Sequence, residues 1–115
     1  MMDADCIFCK IIRGEAPSTM LYQDEYAVAF KDIAPIAPVH VLIVPRQHIV
    51  SAAEVTAENA PLIGHLIAVA ARLARELGIA ERGYRLVTNI GREGGQSVFH
   101  LHWHLLGGRQ MRGLG

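Results

Sequence analysis

Very little in this chain points to a membrane, a polymeric nucleic acid or an oxidising compartment. Cysteine occurs only twice in 115 residues, as Cys6 and Cys9, too few for a disulfide framework. Excess charge of either sign is missing, since 11 basic residues balance 11 acidic ones. No Lys/Arg cluster interrupts that balance, which argues against nucleic acid polymers and anionic membranes as partners. The longest near-apolar run, residues 33–45, is too short to span a bilayer and contains prolines and a histidine. The first residues, Met-Met-Asp-Ala-Asp, have neither the basic start nor the apolar core of a signal peptide, so a cytoplasmic protein is expected. Internal repeats and low-complexity segments are also absent. What remains is a chain of ordinary domain size, 51% hydrophobic, which predicts one compact domain over residues 1–115.

Within it, Val98-Phe99-His100-Leu101-His102-Trp103-His104-Leu105-Leu106 stands out. Three histidines alternate with large apolar residues, which predicts a β-strand over the whole run. His100, His102 and His104 would line one face, and Phe99, Leu101, Trp103 and Leu105 would pack into a core. Imidazole titrates near neutrality and serves as base, nucleophile or metal ligand, so this face carries chemistry. A three-imidazole metal site is one option at this point. Another is nucleophilic attack on phosphorus by a neutral imidazole held in one tautomer, for which the central His102 is best placed.

The surrounding elements read as a scaffold. Residues 6–13 form a short helix stopped by Gly14, with Cys6-x-x-Cys9 at its start. That pair lacks the preceding strand of a thioredoxin-like motif and fits half of a zinc site. Residues 20–23 and 26–31 read as a hairpin. Pro35 and Pro38 stiffen the loop at residues 32–38, and residues 39–44 form a buried strand containing His40. Leu62, Leu66, Val69, Leu73 and Leu77 recur at helical spacing between Pro61 and Gly78, predicting one long scaffold helix. His65 on that helix has no matching partner and reads as structural. Residues 84–89 form a strand leading into the glycine-rich loop at residues 89–97. That loop lacks the P-loop pattern, yet its backbone N–H groups and Ser97 precede the histidines directly. The tail, residues 107–115, carries four glycines and would fray unless docked.

The run from Gly94 to Met111, Gly-Gly-Gln-Ser-Val-Phe-His-Leu-His-Trp-His-Leu-Leu-Gly-Gly-Arg-Gln-Met, closely resembles the signature of the histidine-triad (HIT) superfamily. It is most similar to the Hint branch of nucleoside phosphoramidate hydrolases. Cys6-Ile-Phe-Cys-Lys-Ile-Ile, Asp32-Ile-Ala-Pro, Pro38-Val-His and Pro45-Arg-Gln-His-Ile extend the likeness over nearly the whole chain. The resemblance implies an α+β fold, with about five mostly antiparallel strands, one long helix and a short N-terminal helix. It implies homodimers, with the tail at residues 107–115 near the interface.

It also implies that His102 attacks the α-phosphate of a purine nucleoside 5′-phosphoramidate (an AMP or GMP derivative) and forms a nucleotidyl-histidine that water cleaves. Asp32 would hold the ribose hydroxyls, and Phe8, Ile11 and Ile33 the base. Asn89, Gly95, Gln96, Ser97 and His104 would surround the phosphate and leaving group, and His40 would support the catalytic imidazole. In relatives opening with C-x-x-C, the set corresponding to Cys6, Cys9, His48 and His100 holds a structural zinc; no organic cofactor is implied. Two other functions are compatible with these motifs: hydrolysis of dinucleoside polyphosphates, which the Gly-Gly-Arg-Gln-Met ending disfavours, and non-catalytic, zinc-stabilised nucleotide binding. The sequence departs from the branch at Ala16, where isoleucine is usual before proline, and in a tail without the tryptophan that many relatives carry.

Overall fold

The computed structural model describes residues 5–114. Its elements are α1 (Ile7–Ile12), β1 (Met20–Gln23), β2 (Ala27–Lys31), β3 (Val39–Pro45), a single 3-10 turn (Ala52–Glu54), α2 (Ala60–Glu76), β4 (Arg85–Val87) and β5 (Trp103–Gly107). Five strands form one antiparallel sheet in the order β1-β2-β3-β5-β4. This is the expected α+β arrangement, and 17-residue α2 is the expected scaffold helix.

Alternation along the central strands gives the sheet two buried faces. Ala27, Ala29, Val41, Ile43 and Leu105 point to one side and pack under Leu66, Val69, Ala70 and Leu73 of α2. Val28, Phe30, Leu42 and Val44 point to the other and pack against Phe8 of α1. Each valine, leucine or isoleucine buried in this way contributes roughly 1.5–3 kcal/mol, so the α2 layer fixes the sheet firmly. Packed on the opposite face, α1 has only six residues, too few to be stable alone. Asp24 ties the β1–β2 hairpin to α2. It accepts from the Tyr22 hydroxyl at 2.6 Å and lies 2.6 Å from His65 Nε2, so His65 serves this joint.

The histidine run differs from a continuous strand. Only Trp103–Gly107 joins the ladder; the chain bends at residues 98–100, and residues 98–102 do not pair with β3. Their backbone is held elsewhere: the Leu101 N–H donates to Ile49 O at 2.6 Å, and Gln96 Nε2 donates to Val50 O and Val98 O. Leu101 and Leu105 enter the α2 core as expected, and Trp103 packs at its margin. Phe99, expected in that core, is 49% exposed because the chain has not yet entered the sheet at that point.

Candidate active site and metal cluster

The α1 face of the sheet carries two histidine-based clusters and a cavity of about 430 Å³ beside them. Of the residues expected to contact a nucleotide, Phe8, Ile11, Asp32, Ile33, Ser97, His102 and His104 line this cavity. Ile7, Ala16, Pro17, Ser18, Phe30, Lys31, Leu42 and Val98 complete the wall. Several of these carry no motif signal; only the period-two pattern of β2 and β3 could have placed Phe30 and Leu42 there. Asn89, Gly95 and Gln96 lie outside the lining. The side-chain amide of Asn89 donates to Gly94 O. Gln96 is buried, with its amide nitrogen on Val50 O and Val98 O and its oxygen accepting from the Gly91 N–H. Within the loop, Gly95 N–H donates to Arg92 O and Gln96 N–H to Gly91 O. The loop is thus closed upon itself, and Ser97 is its residue that faces the cavity.

Tautomers follow from the fixed donors and acceptors around each ring. A carbonyl only accepts. His102 Nδ1 lies 2.7 Å from His100 O, so it carries the proton and Nε2 is bare. At His40 the order is reversed: the Ile36 N–H donates to His40 Nδ1 at 3.2 Å, so the proton sits on Nε2. That proton faces His104 Nδ1 at 2.9 Å and Asp32 Oδ2 at 3.3 Å. His104 therefore accepts at Nδ1 and presents Nε2–H. One imidazole offers a lone pair and its neighbour, with ring centroids 4.9 Å apart, offers a donor. Burial lowers the pKa of His40, His102 and His104, the last to about 4, so all three rings are neutral near pH 7. A bare Nε2 on neutral His102 is what nucleophilic attack requires. Phe8 stands edge-on to that ring at 5.0 Å and holds its plane.

The second cluster comprises Cys6, Cys9, His48 and His100, whose ligand atoms all lie within 4.8 Å of one another. Both sulfurs approach His100 Nδ1, at 3.3 and 3.5 Å, and the Nδ1 atoms of His48 and His100 are 3.1 Å apart. Tetrahedral ligation at about 2.0–2.3 Å places donors at roughly these separations. Outer contacts agree, because His100 Nε2–H donates to Pro45 O at 2.8 Å and leaves Nδ1 free for a metal. Burial lowers the His100 pKa to about 4, which keeps that nitrogen unprotonated, and pushes the Cys6 thiol up, a penalty a bound cation reverses. Two sulfurs and two nitrogens suit a closed zinc site. Asp32, His40 and His104 also lie within metal-ligating reach of one another. Here the outer contact is wrong, since a metal on His40 Nε2 would force a proton onto Nδ1 against the Ile36 N–H. That group holds a proton. The three-imidazole metal option finds no support either, because His100 turns to the cysteines while His102 and His104 face the cavity.

Comparison with known proteins agrees with this geometry. A family model for the HIT domain matches residues 13–111. The chain is 51% identical to the purine nucleoside phosphoramidase of Escherichia coli K12 over 110 residues, which is 96% of this chain and 92% of that protein. It superposes on a HIT family hydrolase from Clostridium thermocellum with a TM-score of 0.95 at 51% identity, covering 98% of both chains. A histidine triad protein from Clostridium difficile gives a TM-score of 0.96 at 40% identity over the full length of both. The chain belongs to the HIT domain family.

Proposed function

We propose that the protein is a nucleotidyl hydrolase that cleaves the P–N bond of purine nucleoside 5′-phosphoramidates through a covalent nucleotidyl-histidine on His102. The observation that carries this reading is the opposed pair of tautomers, bare Nε2 on His102 and Nε2–H on His104, at the edge of a cavity of nucleotide size. The 51% identical relative named purine nucleoside phosphoramidase supports the substrate class.

The purine lies in the apolar slot of Phe8, Ile11 and Ile33, and the Asp32 carboxylate accepts from the ribose hydroxyls. His102 Nε2 attacks the α-phosphorus. The N–P bond to histidine forms as the bond to the amine breaks, and the amine takes up a proton from water. His100 O, already bonded to Nδ1–H, stabilises the positive charge on the substituted ring. His104 Nε2–H and the Ser97 hydroxyl face the non-bridging oxygens and stabilise charge there without changing protonation state. Water then attacks phosphorus from the side the amine left. His102 departs neutral, and the nucleoside monophosphate is released with one proton. Asn89, Gly95 and Gln96 serve this step by holding the loop that presents Ser97. Zinc on Cys6, Cys9, His48 and His100 would anchor α1 to the sheet and supply no chemistry to the reaction. The active form is a homodimer working in the cytoplasm; among the described residues no helix is long and apolar enough to cross a membrane.

The test is a leaving-group profile. Adenosine and guanosine 5′-phosphoramidates are expected to be hydrolysed much faster than dinucleoside polyphosphates. Faster cleavage of the polyphosphates would move the protein to the other enzymatic class. Nucleotide affinity without turnover of either would favour a binding protein.

A further inference from the structure

The Gly107-Gly108-Arg109 stretch has no part in the chemistry above, although it follows the histidine strand directly and the structure holds it closely. A Cβ on Gly107 would come within 2.6 Å of Ile79 Cδ1, and one on Gly108 within 2.8 Å of Pro38 Cβ. Gly108 also has φ +92°, a conformation that side chains disfavour. Only glycines allow the chain to leave β5 flat against Pro38, and the next residue is thereby brought over the 32–38 loop. There Arg109 Nη2 donates to Ile36 O at 3.0 Å. Ile36 is also the residue whose N–H points at His40 Nδ1.

We propose that Arg109 is a positioning residue: by holding Ile36 it keeps the Ile36 N–H on His40 Nδ1 and thereby keeps His104 oriented with Nε2–H toward the cavity. The path is short and continuous. Arg109 fixes the Ile36 carbonyl; the Ile36 amide fills the one lone pair on His40 Nδ1. With that nitrogen filled, the His40 proton sits on Nε2, between His104 Nδ1 and the Asp32 carboxylate. If the loop moves away, His40 can carry its proton on Nδ1, and His104 can turn its own Nδ1–H toward the bared His40 Nε2. The nitrogen facing the phosphate would then be a lone pair opposite an anion. Asp32 opposes this change from its own side, so loss of Arg109 weakens the arrangement without abolishing it. Arg109 is exposed and its side-chain partners are backbone carbonyls, Ile36 O and Gln110 O, so its replacement leaves the core untouched.

The proposal rests on the phosphoramidase reading for its effect on rate, but its structural half can be measured without substrate. Nitrogen-15 spectra of the imidazoles in the zinc-supplemented protein should show His104 protonated at Nε2 and bare at Nδ1, with His40 the same. In Arg109→Ala the His40 and His104 signals should shift toward a mixture, with Arg109→Lys in between. Single-turnover cleavage of an adenosine phosphoramidate should slow roughly three- to tenfold in Arg109→Ala, a fraction of the 10²–10³ that loss of a whole preorganised donor brings. AMP affinity should stay within about twofold, since the base and ribose contacts are elsewhere. Ile36→Pro, which deletes the N–H itself, should exceed Arg109→Ala in both readouts. Wild-type His104 protonated at Nδ1, or Arg109→Ala spectra and rate identical to wild type, overturns the proposal. If the tautomers are as described and shift in Arg109→Ala but no variant, wild type included, cleaves the phosphoramidate, the positional claim stands and the enzymatic reading falls.

Discussion

His104 illustrates how burial sets chemistry at a single residue. Its pKa falls from the usual 6.5 to about 4, first because burial penalises the charged ring and then because His102 and His40 are close by. The unfolded chain therefore binds more protons than the folded one between these two values. Stability from this group is complete above pH 6.5 and is lost as the pH falls toward 4. Denaturant midpoints of wild type and His104→Asn should accordingly diverge less at pH 4.5 than at pH 7; a gap independent of pH would contradict the neutral, half-buried ring. Trp103 presents the opposite case. Its indole Nε1 is buried without a hydrogen-bond partner among the described residues. An unpaired buried donor costs about 1–3 kcal/mol, so Trp103→Phe should leave stability unchanged or raise it by about 1 kcal/mol in chemical denaturation. Nothing in the sequence indicated that orphan donor. Tautomers were equally hidden there, because they depend on which carbonyl or amide the fold brings to each ring nitrogen. That His102 and His104 face the same side was legible from their alternation alone.

Among the elements, α1 and β5 decide the site. Its helix pattern was readable from Ile7, Ile11 and Ile12, and so was the stop at Gly14. That α1 forms one wall of the cavity beside the histidines and carries half of the Cys/His cluster depended on partners far away in sequence, which only the family resemblance supplied. Six residues of helix have little intrinsic stability, and the two cysteines at its start and within it point to His48 and His100. Metal analysis of protein expressed with zinc available should give about one zinc per chain. A Cys6→Ser, Cys9→Ser double variant should lose it, melt at lower temperature and bind AMP more weakly as α1 loosens. Full AMP affinity in a zinc-free protein would separate the cluster from the pocket. The β5 boundary shows what alternation cannot reveal. A period of two fixes which side chains share a face, yet pairing begins only where β3 offers a partner, and Ile49 takes the Leu101 N–H instead. Phe99 thus turns outward while His100 and His102 are buried before the strand starts. The exit from β5 is equally constrained: Gly108→Ala meets Pro38 at 2.8 Å in a strained backbone conformation and should cost about 1–3 kcal/mol in urea unfolding.

At the scale of the molecule, the sheet separates two tasks. One face is buried under α2 and supplies stability, while the other carries the histidines, the cavity and the cluster, so the apolar core fixes the register of the reactive side chains from behind. This division was readable in advance from the α2 heptad-like spacing and the apolar strands. The short edge strand β4 and the exposed Ile67 of α2 are the features through which the proposed pairing of two chains would run. Light scattering on the purified protein should give twice the 12.6 kDa chain mass, and a monomer at micromolar concentration would contradict the dimer.

The central claim is that a neutral, buried imidazole at position 102 takes the nucleotide covalently. It is tested most directly by mixing the enzyme with adenosine 5′-phosphoramidate, quenching in acid-free denaturant within milliseconds, and measuring the mass of the intact chain. The account predicts a transient adenylate increment that maps to His102 and is absent in His102→Ala. Hydrolysis at full rate by His102→Ala, or an adduct on another residue, would contradict it.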